Sequence, residues 1–446
     1  MGSFESVFKA YDIRGRVDTG ELDASLVEAV GAAFARWSGA DRIAVGFDCR
    51  PSSPGLADAL SAGIVSQGCD VELLGAVPTD LVYFVSGRDR IPGVMITASH
   101  NPAGYNGVKL CGAGAAPIGS ESGLEDIKRL AMDGVDPRGS EGGIGTVDVV
   151  GDYIDHLLAI VDPSDIAALD VVVDGGNGMA GVAVTRVFDR LEARLEGLYL
   201  EPDGTFPNHP ANPLEPENLV DLIAAVRESG ADLGVAFDGD ADRAFFIDDT
   251  GSVLSGSTTT ALIATWFLSR RPGASIVHNL ITSRSVPEII SEQGGVPVRT
   301  RVGHSFIKAV MAETGAVFGG EHSGHYYFAD NYRADSGMLA MLVLLQVLSE
   351  SGVALSELRR RVERYEASGE INLRVGDLAG AMAAVESAFA GANVDRLDGL
   401  TLEWGDRWLN LRPSNTEPFL RLNVEAPDRD SVDELVRSVS KIVEGR

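Results

Sequence analysis

Cysteine is nearly absent: three in 446 residues, Cys49, Cys69 and Cys111, with no C-x-x-C spacing. That excludes a disulfide framework and a zinc knuckle, and predicts a reducing, cytoplasmic setting. Positive charge is scarce, with 37 Lys and Arg against 65 Asp and Glu, a net charge of −28. A field of that sign repels nucleic acid and anionic membrane surfaces, so neither is expected as a partner. It also repels phosphorylated metabolites unless cations are gathered in one cleft. Long apolar runs are missing: the strongest, Gly337–Leu348, is too short to span a bilayer. The opening MGSFESVFKAYDIRG has no apolar h-region, so no signal peptide is expected. No G-x-S-x-G elbow occurs, which argues against an α/β-hydrolase.

What the chain does contain is ample core material. It is 45% hydrophobic and 23% charged, the make-up of a globular protein rather than a disordered one. The length suggests about three domains. Its 52 glycines cluster beside acidic and polar residues, as in functional loops. Short apolar runs at Arg42–Phe47, Val71–Leu74 and Gly93–Ile96 alternate with a helical stretch, Gly55–Gln67, which predicts an α/β unit with largely parallel pairing. Met132–Gly145 reads as a surface connection, and a helix near Asp152 opens the next unit. There, strands are predicted at Leu169–Val173 and Leu233–Phe237, with Ala244–Ile247 and Ser252–Leu254 as a hairpin about a DDTG turn. A third unit begins near Ser257, with strands Ser275–Asn279 and Ala316–Phe318 and the apolar helix from Gly337. The last stretch differs: Leu400–Trp404, Trp408–Leu411 and Phe419–Val424 read as strands before a helix over Ser431–Val443, a small α+β domain. The echo VGFD, VVVDGG, VAFDGD hints at a triplicated unit.

Four segments can carry chemistry. In TASHNPAGYNGVKL, a strand runs into a loop presenting Ser99 beside His100, with Lys109 ten residues on. A serine there is either a turn residue or, with a base or cation to activate it, a nucleophile. In FDGDADR, Asp238, Asp240 and Asp242 alternate within five residues. Such charge density is unfavourable unless a hard cation sits among it. An EF-hand would need Gly at Arg243 and Glu at Asp249, so that reading fails. The oxygen-only set beside Arg243 favours Mg²⁺ near a phosphate over a solvated acidic turn. In GEHSGH, His322 and His325 have a spacing that a zinc site can use, while Glu321, Ser323 and the glycines suit sugar hydroxyls; the pattern leaves both open. In RPSNTEP, Arg412, Ser414, Asn415 and Thr416 offer a fork, hydroxyls and turn N–H groups to a phosphate, or make an ordinary turn.

Two other function classes compete. Gly176–Gly181 satisfies G-x-G-x-x-G after a strand, with Glu196 about 20 residues on, as in a dinucleotide-binding dehydrogenase. That reading leaves Ser99, the aspartate triplet and RPSNTEP without a task. A carbohydrate- or metal-binding module without turnover does not explain a serine, a base, a cation site and a phosphate loop together.

In this order, and with the early YDIRG of Tyr11–Gly15, the four segments resemble the signature loops of the α-D-phosphohexomutase superfamily. GEHSGHYYF is most similar to the phosphomannomutase/phosphoglucomutase branch; phosphoglucosamine mutases usually carry another residue at the position of His322. The resemblance spans essentially the whole chain. It implies three related α/β domains with mixed sheets and a C-terminal α+β domain, heart-shaped around one central cleft. The corresponding boundaries are residues 1–148, 149–253, 254–365 and 366–446. It implies a phosphoserine at Ser99, and Mg²⁺ held by Asp238, Asp240, Asp242 and the group on Ser99. His100 and Arg243 would flank the phosphate, and Lys109 would help to move a proton. Glu321 and Ser323, with His325 nearby, would read sugar hydroxyls. Arg412, Ser414, Asn415 and Thr416 would hold the non-reacting phosphate, while His304 and Arg14 match further cleft positions; Arg284 and Arg421 are possible additions. The implied reaction interconverts mannose 1-phosphate and mannose 6-phosphate through a hexose 1,6-bisphosphate, also acting on glucose phosphates. Phosphoglucomutase or phosphoglucosamine mutase is the alternative within the superfamily. The expected assembly is a monomer or homodimer, with a phosphosugar as its small-molecule partner.

Overall fold

The computed structural model describes residues 4–414 and 419–445, save the side chain of His304. Its first three sheets repeat one topology. Beyond an edge strand of the first sheet, Ile13–Arg16, each has two parallel strands joined through a helix: Arg42–Phe47 and Asp70–Ala76, then Asp170–Asp174 and Arg194–Leu198, then Ser275–Asn279 and Val296–Thr300. A third parallel strand then lies on the other side of the first: Gly93–Ile96, Leu233–Phe237 and Phe318–Gly320. A fourth strand returns antiparallel beside the third: Tyr105–Gly112, Ala244–Asp248 and Tyr326–Phe328. The spatial order is therefore fourth, third, first, second in all three sheets. The predicted triplication is real, although the VAFDGD echo matches a third strand with two first strands. In each sheet the connection between the third and fourth strands leaves the carboxyl end of a parallel strand, where α/β sheets place ligands.

Local chemistry accounts for these elements. Leu233–Phe237 is buried throughout and ends where three aspartates begin. The helix Gly337–Ser351 opens on Ser336, whose hydroxyl accepts from Leu339 N at 3.0 Å. Met338–Leu345 are all buried, so this helix is core and not membrane; each large apolar side chain there contributes roughly 1.5–3 kcal/mol by burial. It ends at Gly352 in the left-handed conformation, φ +62°. Among the described residues no single helix is long and apolar enough to cross a membrane.

Two expectations are adjusted. Ser252–Leu254 does not form a second hairpin strand: only Ile247 and Val253 bridge, because Asp248 folds its carboxylate back onto Thr250 and Ser252 N–H groups. Within the Met132–Gly145 connection, Ile144–Thr146 adds a parallel edge strand to the first sheet.

One large apolar cluster runs through the first three units, the first unit has a second of its own, and the final sheet has another. That sheet comprises Leu400–Trp404, Arg407–Pro413 and Phe419–Ala426, with Ile371–Arg374 and two short edge strands, covered by the amphipathic helix Arg429–Glu444. Its junction with the third unit is mixed: Leu280, Ile281 and Trp408 pack together, and Arg284 N–H and Trp408 Nε1 both donate to Glu425 Oε1, each at 2.9 Å.

Candidate active site

The three equivalent loops converge. Ser99 leaves the strand Gly93–Ile96 in the left-handed region, φ +51°, unusual for a serine. Its backbone is held by a group that the sequence reading missed. Arg50 is wholly buried and donates to the carbonyls of Ser99, Asn101, Pro102 and Tyr105 at 2.6–3.1 Å. Asp48 anchors that guanidinium at 3.0 Å and accepts from Ser53 and Thr97 hydroxyls. The available signal was Asp48 at the carboxyl end of a parallel strand, with Arg50 two residues beyond.

The Ser99 hydroxyl donates to Asp238 Oδ2 at 2.7 Å and accepts from Arg243 Nη2 at 2.7 Å. His100 Nδ1 lies 3.2 Å from the same oxygen and accepts from Arg243. A guanidinium donating to Nδ1 requires that nitrogen to be unprotonated. Burial, and then the Arg243 charge, push the imidazole pKa down to about 2, so His100 is neutral at ordinary pH.

Asp238, Asp240 and Asp242 are buried and offer three carboxylate oxygens within 4.8 Å of one another. Lys109 Nζ donates to Asp240 Oδ2 at 2.6 Å and Asp242 Oδ2 at 2.5 Å. Burial opposes the lysine charge, but these carboxylates outweigh it and hold the ammonium well above its usual pKa. Burial also opposes ionisation of Asp240; Lys109 and the Thr79 hydroxyl, which donates at 2.6 Å, overcome it. Asp242 is driven the other way, by burial and then by Asp240. Oδ1 of Asp240 and Oδ1 of Asp242 are buried without a hydrogen-bond partner. Buried carboxylate oxygens that accept no hydrogen bond fit a hard cation.

The dinucleotide-like glycines have a different task. A Cβ on Gly178 would lie 2.7 Å from the Gly239 carbonyl oxygen, and one on Gly239 would lie 2.5 Å from the Ser99 carbonyl oxygen. Bare backbone stacks three layers deep, from the 176–181 loop to the aspartate loop to the serine loop. Met179 N–H ties the first two, donating to Gly239 O at 3.0 Å. This is glycine used for close approach.

The GEHSGH loop closes the site from the third sheet. Glu321 is buried and accepts from Tyr327 OH at 2.7 Å and Gly303 N–H at 3.2 Å; burial raises its pKa. Ser323 Oγ lies 3.0 Å from His325 Nδ1, and His325 Nε2 lies 3.7 Å from Asp242 Oδ1. The backbones of Arg243 and His325 form a β-bridge, which links the aspartate and GEHSGH loops directly. His322 turns aside to Asn279 Nδ2 at 3.1 Å, so it and His325 do not share one zinc position. Arg14 Nη1 donates to Asn101 Oδ1 at 2.9 Å, beside the serine loop.

Ser99, His100, Lys109, Asp238, Asp240, Asp242, Arg243 and His325 thus form one cluster, bordered by Arg14, Glu321 and Ser323. Arg412 stands apart on the final sheet, donating to Glu370 Oε2 at 3.0 Å, and Ser414 N–H donates to Phe419 O at 2.9 Å. Asn415, Thr416 and the His304 side chain lie outside the described residues. Arg284 serves the junction between the third and fourth sheets, where it also donates to Gly405 O at 2.8 Å.

Four family models match in chain order. Three are the phosphoglucomutase/phosphomannomutase alpha/beta/alpha domains I, II and III, over residues 5–133, 151–251 and 255–365; the fourth is the C-terminal domain, over 370–442. A phosphomannomutase from Salmonella montevideo is 41% identical over 435 residues, 94% of each chain. A protein named as phosphohexose mutases, from Xanthomonas campestris pv. campestris, is 40% identical over 447 residues, covering 98% of this chain and 99% of its own. The crystal structure of a phosphoglucomutase/phosphomannomutase family protein from Burkholderia thailandensis superposes with TM-score 0.90 at 33% identity, covering 100% of this chain and 98% of that one.

Proposed function

The chain belongs to the phosphoglucomutase/phosphomannomutase family, and we propose that it is a phosphomannomutase working through a phosphorylated Ser99. The observation that carries this reading is the Ser99 hydroxyl, clamped between a carboxylate and a guanidinium at the edge of a buried three-aspartate cluster. The phosphoryl group on Ser99 passes to the free hydroxyl of mannose 1-phosphate or mannose 6-phosphate. The resulting 1,6-bisphosphate turns in the cleft and returns its other phosphate to Ser99, so the Ser–O–P bond broken in the first half is remade in the second. Asp238 accepts the serine proton as that bond re-forms and returns it to the Ser99 oxygen as the bond breaks, and Arg243 neutralises charge on the moving group. Lys109, kept charged at rest by its two carboxylates, donates a proton to the leaving sugar oxygen in one half-reaction and recovers one from the attacking sugar hydroxyl in the other. Neutral His100 orients Arg243 and Ser99.

Asp238, Asp240 and Asp242 would hold Mg²⁺, and the buried oxygens that accept no hydrogen bond support that fit. When bound, the ion supplies charge neutralisation for phosphoryl transfer. Glu321 and Ser323 take sugar hydroxyls equivalent after the turn, with Arg412 and its loop on the distal phosphate. None of these groups faces carbon 2 by assignment, so glucose phosphates are substrates too. The free thiols of Cys49, Cys69 and Cys111 fit a cytoplasmic enzyme.

A coupled mutase assay on both sugars, with and without hexose 1,6-bisphosphate, tests the reading. Ser99→Ala should fold and lose turnover by orders of magnitude, and intact mass of the unsubstituted enzyme should include a form about 80 Da heavier. Equal activity of Ser99→Ala and unsubstituted enzyme with bisphosphate present would exclude the phosphoserine route.

A further inference from the structure

One carboxylate with no task in this reaction stands inside the phosphate clamp. Arg412 and Arg421 are directly opposed on the antiparallel strands Arg407–Pro413 and Phe419–Ala426. Like charges in that position repel. Glu370 joins them: Oε2 accepts from Arg412 Nη2 at 3.0 Å, and Oε1 lies 3.2 Å from Arg421 Nη1. The Arg412 side chain is only 13% exposed. The Nε–H groups of both arginines are buried without a hydrogen-bond partner, so Glu370 leaves part of each fork unused. Two oxygens bridging two guanidiniums is the arrangement a phosphate would also make.

Glu370 is held there by the fold. Before it, Ser368 N–H donates to Val424 O at 2.9 Å and Gly369 turns at φ +70°. After it, Ile371 is in register with Leu422, next to Arg421. The carboxylate is therefore fixed to the strand that carries one of its two arginines. Burial, and then the Arg412 and Arg421 charges, hold the His322 pKa at about 4.

We propose that Glu370 is an internal counter-ion of the phosphate clamp, displaced from Arg412 and Arg421 by the distal phosphate of the sugar and returning as that phosphate leaves. This rests on the reading of Arg412 as a phosphate ligand. Its consequence is kinetic. Two unopposed guanidiniums hold a dianion equally well before and during transfer, which lowers KM without helping the chemical step. They also slow the turn of the bisphosphate, which must release one phosphate to present the other. A resident carboxylate weakens that uniform grip and offsets the charge left behind at release. A merely structural Glu370 predicts the opposite, since losing it would disorder the arginines and weaken binding.

The decisive variant is Glu370→Gln, which keeps the shape and removes the charge. In a Ser99→Ala background, calorimetric titration with mannose 6-phosphate and with inorganic phosphate should show Kd lowered about fivefold or more, roughly 1 kcal/mol. In otherwise unsubstituted enzyme, KM and kcat should fall together. Unchanged or weaker binding of both probes overturns the proposal, as does a raised KM. If Glu370→Gln does not fold, Glu370→Asp decides: its shorter carboxylate reaches the forks less well and should tighten binding, and equal or weaker affinity overturns the idea. Absence of mutase turnover in the unsubstituted enzyme would count against the functional reading alone, because the phosphate titrations do not depend on turnover.

Discussion

Asp242 carries the site's electrostatic conflict. It is buried among two other carboxylates, and burial and Asp240 both push its pKa upward. Lys109 and Arg243 supply two cations against three anions. Asp242→Asn should therefore stabilise the metal-free protein by roughly 1–2 kcal/mol and raise its Tm by a few degrees, while abolishing turnover. Thermal melts in EDTA check the first part, and the mutase assay with Mg²⁺ checks the second. A lower Tm in EDTA would mean that Asp242 holds the fold together rather than straining it. The aspartate triplet was legible because charge density in a short loop is a local property. Arg50 was not, because its importance lies in four carbonyl groups 49 to 55 residues away.

Elements act on the site through their packing. The 176–181 loop looks like a dinucleotide fingerprint, but Gly178 supports the aspartate loop. Gly178→Ala should weaken Mg²⁺ affinity roughly tenfold, as a lost outer support of a metal site does, and nicotinamide cofactors should show no binding to either protein. Calorimetry with Mg²⁺, NAD and NADP measures both; unchanged Mg²⁺ affinity would free Gly178 of this role. The strand Ser275–Asn279 supplies a pH signature. Burial pushes the His278 pKa down to about 4, from near 6.5 in the unfolded chain. Between these values the unfolded chain binds a proton that the folded one refuses. Stability is thus full above pH 6.5 and falls as pH drops toward 4, by about 2 kcal/mol from this residue at pH 5. Urea titrations at pH 7 and pH 5 should show that component in the unsubstituted protein and not in His278→Gln. Equal losses in both would place the acid sensitivity elsewhere.

At the scale of the molecule, three repeats of one sheet topology deliver one loop each, and a fourth sheet with a separate core carries the proposed phosphate clamp. A sugar bound this way is gripped at its phosphate and at hydroxyls common to both epimers. Discrimination between mannose 1-phosphate and glucose 1-phosphate should stay below about a thousandfold, about 4 kcal/mol. Arg412→Lys should raise KM for both by a similar factor, because a point charge replaces a fork at a shared group. Steady-state kinetics on both sugars, for both proteins, give the ratio; a larger preference would mean that a group reads carbon 2. With a net charge of −28, the proposed anion binding would depend on a few local cations, Lys109 and Arg243 at the serine and Arg412 on the final sheet. Lys308, near a signature loop in sequence, is not one of them: it is buried against Asp335 at 2.7 Å.

Arg194–Leu198, Val296–Thr300 and Tyr326–Phe328 emerged as strands only with the sheets, but the sequence alone determined the alternation of strands and helices, the loop positions and the residue types in each loop. These follow from local rules: apolar runs make buried strands, glycine and proline end them, and dense charge marks a ligand. Only the tertiary structure decided which loops meet. The shared strand order became visible only when the sheets formed, since hydrogen-bond pairing joins residues far apart in sequence. The Gly178, Gly239 and Ser99 stack, the Arg50 anchor and the Glu370 bridge arise the same way. Each is a contact between segments whose local sequence carries no record of the partner, because close approach and charge pairing depend on distance in space and not along the chain.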